Sequence, residues 1–174
     1  MITLVTGPTR SGKSEWAEKL ALSSSLPVIY IATAQNYPDD PEWQDRIARH
    51  RYRRPPHWQV LEIPIDLPTV LPSLPSPAFV LIDSLGTWVT NLLSSPQWEQ
   101  YCQDFLTALQ LSPAEIVIVA EEVGWGLVSP YPLGRLFCDR LGVLVREVSK
   151  IADRVVLVVA GYALDLSQIG EPLS

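Results

Sequence analysis

The apolar residues of this chain fall into short unbroken runs, and the segments between them carry apolar positions at helical spacing. Residues 2–6, 28–32, 78–83, 116–120 and 155–160 are almost uninterrupted apolar stretches, the pattern of strands buried on both faces of a parallel sheet. Residues 58–63 alternate more, which places that strand nearer an edge, and residues 163–167 offer a terminal strand. Residues 14–24, 42–52, 87–93, 97–110 and 133–152 repeat their apolar positions every three or four residues and are read as helices. Strands alternating with helices of this length predict an α/β fold with a mostly parallel central sheet. The 16 prolines sit mostly between elements, and residues 68–77 are read as a proline-punctuated loop. There is no internal repeat and no long linker, so residues 1–174 are expected to form a single domain.

The first strand runs straight into Gly7-Pro8-Thr9-Arg10-Ser11-Gly12-Lys13-Ser14, and a helical pattern follows at once. Strand, glycine loop and helix in that order are the setting of a P-loop. Gly7 and Gly12 let the backbone wrap closely enough for successive N–H groups to point at phosphate oxygens. The helix beginning near Lys13 adds the positive end of its dipole. Lys13 supplies charge to the β- and γ-phosphates as a catalytic cation, and the Ser14 hydroxyl is a ligand for Mg²⁺. The chain is therefore expected to bind a nucleoside triphosphate.

Charge changes the picture in one place. The chain is acidic overall, at −6, yet five of its ten arginines lie between residues 46 and 54, as Arg46, Arg49, Arg51, Arg53 and Arg54. Arginine forks suit phosphate oxygens. His50 lies among them, where it is either a nucleophile toward an activated phosphate or an exposed residue on a basic helix. The acidic remainder and the lack of interleaved aromatics weigh against a nucleic-acid surface. His57, beside Trp58, is read as a packing or loop residue. Asp83 closes an apolar strand at the edge where open α/β sheets bind ligands. It either helps hold Mg²⁺ with Ser14 or caps the helix that follows. Glu121 and Glu122 end the next strand and face either the nucleotide or solvent.

The remaining composition mainly excludes. No apolar run reaches the length of a membrane span, and no basic leader precedes the first strand, so neither a span nor a signal peptide is expected. Cys102 and Cys138 show no metal or redox spacing. They are expected to be reduced thiols in a cytoplasmic protein.

Taken together and in order, these motifs resemble the bifunctional adenosylcobinamide kinase/adenosylcobinamide-phosphate guanylyltransferase family of cobalamin biosynthesis. The resemblance is carried by Gly7-x-x-Arg10-Ser-Gly-Lys-Ser14, Tyr30-Ile-Ala-Thr33-Ala-Gln35, and Arg46-Ile-x-x-His50-Arg51 with Arg54-Pro55 and Trp58. It continues through Glu62, Leu81-Ile-Asp83, Trp88-Val-Thr-Asn91, Glu122-Val-Gly124-x-Gly126, Gly134-Arg135-x-Phe137-x-Asp139 and Ala152-Asp153 to Val158-Val-Ala-Gly161. It implies a RecA-like P-loop NTPase fold assembled as a homotrimer. It also implies two activities. ATP or GTP phosphorylates the corrinoid adenosylcobinamide, and GMP from GTP then passes through a guanylyl-histidine to the phosphorylated corrinoid, releasing pyrophosphate. The matching histidine is His50. The positions matching the family's GTP contacts are the P-loop, Thr33, Ala34, Gln35, Arg51, Tyr52, Arg53, Arg54, Glu62 and Asp83. The chain departs from the family at Pro8, at Glu121 where Asn is usual, and at Val145-Arg146 where Asn-Gln is usual. Two other readings remain beside this one: a P-loop kinase for another hydroxylated substrate, with His50 a bystander, and a non-catalytic nucleotide-binding regulator.

Overall fold

The computed structural model describes residues 1–173, without the side chains of Arg46 and His50. Strands β1 (Ile2–Gly7), β2 (Val28–Ala32), β3 (Gln59–Glu62), β4 (Phe79–Asp83), β5 (Glu115–Glu121), β6 (Arg154–Val159) and β7 (Tyr162–Asp165) form one seven-stranded sheet in the order β3-β2-β4-β5-β1-β6-β7. The first six run parallel, and β7 returns antiparallel on β6. The alternating segment is the edge strand β3, as its pattern predicts. The principal helices are α1 (Lys13–Ser23), α2 (Pro41–Arg53), α4 (Leu85–Asn91), α5 (Trp98–Leu111) and α6 (Pro132–Ile151), with one-turn helices α3 (Leu67–Val70) and α7 (Leu166–Ile169).

Period-two alternation divides the core. Leu4, Ile29, Ile31, Val80, Ile82, Ile116 and Ile118 point to the face covered by α4, α5 and α6, where they meet Trp88, Phe105, Leu109, Leu141 and Val148. Their neighbours Val5, Tyr30, Phe79, Leu81, Val117 and Val119 point to the opposite face, against Ala17 and Ala21 of α1 and against Trp58. A strand buried on both sides has no polar face to show, which is why these segments read as unbroken apolar runs. On the first face, Trp88 packs 5.0 Å from Phe105 between ring centroids and donates its indole N–H to the Ile65 carbonyl at 2.8 Å.

Two stretches differ from the sequence expectation. The proline-rich segment 68–77 is not all loop: α3 and a 3₁₀ turn at Leu71–Ser73 occupy its first half. Pro68 and Pro72 stand in the first turns of these pieces, where a missing N–H leaves no bond unmade. The terminal strand lies at Tyr162–Asp165, and the chain then turns into α7, whose first turn is capped by the Asp165 carboxylate accepting from the Ser167 N–H at 3.1 Å.

The parallel register places the site. Gly7 pairs with Glu121, Ala32 with both Asp83 and Glu62, and Asp83 with Val119. Five strand ends therefore open on one edge of the sheet, which is the edge where ligands bind in such folds.

Candidate nucleotide site

The loop after β1 is a cradle. At Gly7 a Cβ would lie 2.2 Å from the Val158 carbonyl oxygen, so only glycine lets the loop leave the sheet here. Gly12 has φ 96° and precedes α1 without any side-chain cap, so the first N–H groups of that helix are left for a ligand. Arg10 takes a left-handed conformation (φ 59°) between them, a strain that proteins store at functional loops. Pro8 has no N–H to offer but supplies a carbonyl, which accepts from the Ser11 N–H at 3.2 Å and from Lys13 Nζ at 3.3 Å. Lys13 is only 7% exposed, and the Ser11 hydroxyl is buried with no hydrogen-bond partner among the described residues. A buried ammonium held by one carbonyl and a buried orphan hydroxyl are costly by themselves. A phosphate group satisfies both.

Across from the cradle stands Asp83. Its Oδ1 accepts from the Ser14 hydroxyl at a loose 3.4 Å, and its Oδ2 accepts from the Tyr30 hydroxyl at 2.7 Å. The helix that follows is capped by Ser84 and Thr87 instead, in a reciprocal capping box, so the capping reading of Asp83 falls. An aspartate oxygen and a serine oxygen facing each other beside a phosphate cradle suit Mg²⁺, which takes few protein ligands and keeps water and phosphate oxygens for the rest. Glu121, whose orientation the sequence left open, turns inward: its carboxylate accepts from the Ser84 hydroxyl at 2.6 Å and from the Gly86 N–H at 2.8 Å. Glu122 folds back onto the Gly124 N–H at 2.9 Å.

A cavity of about 870 Å³ joins the cradle to α2. Thr9 through Ser14, Ala34, Arg51 through Arg54, Glu62 and Asp83 line it, and so do Ile47, Ala48 and Arg49. His50 falls within α2, and its side chain, like that of Arg46, lies outside the described residues. Gly7 and Pro8 form the loop's root, outside the lining. Thr33 and Gln35 are also outside the lining. Thr33 is fully buried, and its hydroxyl bonds to Ser84 and Thr87. Gln35 offers its carbonyl to the Trp43 indole at 2.8 Å and so ties the loop before α2 to that helix.

Arg51 and Arg53 of α2 have partners in the chain itself. Arg53 bridges Glu15 at 2.9 Å and Glu18 at 3.2 Å on α1, and Arg51 meets Glu62 at 3.4 Å. Burial pushes the Glu18 carboxyl above its ordinary range against the pull of Arg53. The Arg54 guanidinium lies 4.1 Å from the centre of the Tyr30 ring. The sequence places Tyr30 in a strand and in the family pattern without a role at the site, and it passes over Glu15 and Glu18. The signal available for Tyr30 was a phenol within an aliphatic run, since a buried hydroxyl needs a partner. His57 sits exposed in a turn away from this cavity, and Val145 packs on the core while Arg146 is exposed. Burial and neighbouring Glu99 push the Cys102 thiol up to about 12, far from a reactive thiolate.

Residues 3–166 match the family described as cobinamide kinase / cobinamide phosphate guanyltransferase. The chain belongs to this family. It is 41% identical to the bifunctional adenosylcobalamin biosynthesis protein CobP of Pseudomonas aeruginosa, covering 99% of this chain and 100% of the relative. It is 36% identical to the bifunctional adenosylcobalamin biosynthesis protein CobU of Escherichia coli, covering 95% of this chain and 99% of the relative. Among solved structures, a prototypical ATPase of the type III secretion system of pathogenic bacteria superposes with TM-score 0.56 at 10% identity, over 98% of this chain and 58% of that one. The flagellar accessory protein FlaH of Methanocaldococcus jannaschii gives TM-score 0.53 at 12% identity, over 99% of this chain and 81% of that one. At such identities the likeness speaks for the fold alone, and that fold is the RecA-like P-loop α/β fold which the family resemblance implied.

The cradle and Asp83 make separable demands. Lys13→Ala should lower nucleoside-triphosphate-dependent phosphorylation by at least about a hundredfold, since it removes the charge that meets the transferring phosphoryl group. Asp83→Ala should instead raise the Mg²⁺ concentration for half-maximal rate. Steady-state rates across a Mg²⁺ titration check both, and wild-type values in either variant would remove that residue from the site.

Proposed function

We propose that a single domain carries both activities of the family in this one cavity. In the first, the aminopropanol hydroxyl oxygen of adenosylcobinamide attacks the γ-phosphorus of ATP or GTP. The bond from that phosphorus to the bridging oxygen breaks, the nucleoside diphosphate leaves, and the hydroxyl proton is lost. In the second, the His50 imidazole attacks the α-phosphorus of GTP and pyrophosphate leaves. A phosphate oxygen of the phosphorylated corrinoid then displaces the histidine from GMP, giving adenosylcobinamide-GDP. The observation that carries this reading is the cavity itself, in which a buried lysine and an orphan hydroxyl of a P-loop face the arginine-bearing helix that contains position 50.

Ser14 and Asp83 would hold the Mg²⁺ of the nucleotide, and the ion would offset charge on the phosphate oxygens. Lys13 and the α1 N-terminus bind and orient the phosphates, which is most of what phosphoryl transfer requires of a protein. Thr9, Arg10, Gly12, Ala34, Tyr52 and Glu62 complete the walls within which GTP is held. Arg51, Arg53 and Arg54 bring positive charge to the α2 side, where charge on the α-phosphoryl group is redistributed during guanylyl transfer.

Two wider parts of the reading follow from other surfaces. Trp125, Leu127, Val128, Tyr131 and Leu133 are all exposed around the start of α6, and an apolar patch of that kind marks an association surface. The homotrimer that the family resemblance implies would associate through such a surface, and sedimentation velocity should give the mass of three chains; a monomer at micromolar concentration would contradict it. Free Cys102 and Cys138 support a cytoplasmic setting, and no helix among the described residues is long and apolar enough to cross a membrane.

The histidine decides between bifunctional enzyme, simple kinase and nucleotide-binding regulator. With α-labelled GTP, the wild-type chain should take up acid-labile label that survives denaturing electrophoresis. His50→Ala should lose the label and the GDP-corrinoid while keeping much of the cobinamide phosphorylation, and His57→Ala should keep the label. A label that survives His50→Ala, or a wild type that never takes one, would sink the guanylyl-histidine.

A further inference from the structure

Tyr30 is a buried polar residue at this site that neither reaction step uses. It lies in the middle of β2, whose flanking Ile29 and Ile31 point to the opposite core. The ring is 2% exposed, stacks on Trp58 with centroids 6.5 Å apart, and lies under the Arg54 guanidinium. Phenylalanine would fill the same volume in this apolar strand without burying a hydroxyl. The hydroxyl is accounted for by one contact, its 2.7 Å bond to Asp83 Oδ2. A carboxylate oxygen can only accept, so in this bond the phenol donates.

We propose that Tyr30 is a positioning residue for the nucleotide's metal: its hydroxyl occupies Asp83 Oδ2 and so commits Oδ1 to the Ser14 side of the cavity. Its ring, beneath Arg54, ties the end of α2 to the same carboxylate. One side chain thereby sets the metal ligand of the P-loop and the helix that contains the guanylyl acceptor position in a fixed relation. Partners that orient a metal-ligating carboxylate commonly matter to metal affinity nearly as much as the ligand does. The inference rests on the reading that Ser14 and Asp83 hold the Mg²⁺.

The test is the affinity of a fluorescent GDP derivative for the intact protein, measured in EDTA and in saturating Mg²⁺. Tyr30→Phe keeps the ring, its stacking and its place under Arg54, and removes only the hydroxyl. It should leave the EDTA affinity unchanged and shrink the Mg²⁺-dependent gain by about tenfold. In an Asp83→Ala background the same substitution should have no further effect on that gain. A Tyr30→Phe variant with the full Mg²⁺-dependent gain, whatever its melting temperature, would make Tyr30 a packing residue and overturn the proposal. Loss of folding in Tyr30→Phe would overturn it too, because the role assigned leaves packing intact. So would a wild type with no Mg²⁺-dependent gain. No corrinoid enters this measurement. A wild type that fails to phosphorylate cobinamide but shows the Tyr30 effect would therefore defeat the bifunctional reading alone.

Discussion

The parallel register of the sheet is the constraint on which the site depends. Because β1, β2, β3, β4 and β5 all run the same way, with Asp83 paired two residues short of the end of β5, Gly7, Ala32, Glu62, Asp83 and Glu121 all finish at one edge. Nothing in the short segments themselves gathers these residues. What fixes them is the burial of both faces of each strand: a slip of one residue would exchange Ile29 and Ile31 with Tyr30 and drive a phenol into the aliphatic core. The chemistry at the edge inherits its precision from hydrophobic packing beneath it.

On that edge, charges are arranged in pairs that hold the helices around the cavity. Arg53 joins α2 to α1 through Glu15 and Glu18, and Arg54 rests on Tyr30, whose hydroxyl reaches Asp83. The exposed members of these pairs contribute little to stability. Their effect is geometric, since they keep a basic helix next to a phosphate cradle in a protein that is acidic overall. Glu121 does related service at the start of α4. Both its oxygens are occupied by Ser84 and Gly86, immediately after Asp83. Where the family resemblance implies an amide, the chain carries a carboxylate that accepts from a hydroxyl and a helix N–H, a role an acid fills well at a helix start.

The sequence announced the cradle and the strand order of chemistry more clearly than the walls. Gly7 through Ser14 were legible because a phosphate loop needs glycine, lysine and a hydroxyl at fixed spacing. Asp83 was placed at a strand end, but only three-dimensional structure showed Ser84 capping the helix in its stead. Thr33 and Gln35, expected at the nucleotide through the family resemblance, are outside the cavity lining, in hydrogen bonds that no sequence pattern reveals. The one-turn helices at Leu67–Val70 and Leu71–Ser73 were hidden by prolines, which read as loop punctuation although they suit a helix's first turn equally well. Arg53 and Arg54 read as phosphate ligands. Their carboxylate and aromatic partners lie more than twenty residues away in sequence, beyond the reach of local pattern.

The central claim is that one nucleotide cavity serves both chemistries, and GDP tests it most directly. GDP has neither a γ-phosphoryl group to give nor a pyrophosphate to release, so it can only compete. With GTP as donor, its inhibition constants should be measured separately against cobinamide phosphorylation and against covalent GMP labelling of the chain. A shared cavity predicts competitive inhibition of both with the same constant. GDP that blocks one reaction while leaving the other unaffected would contradict it.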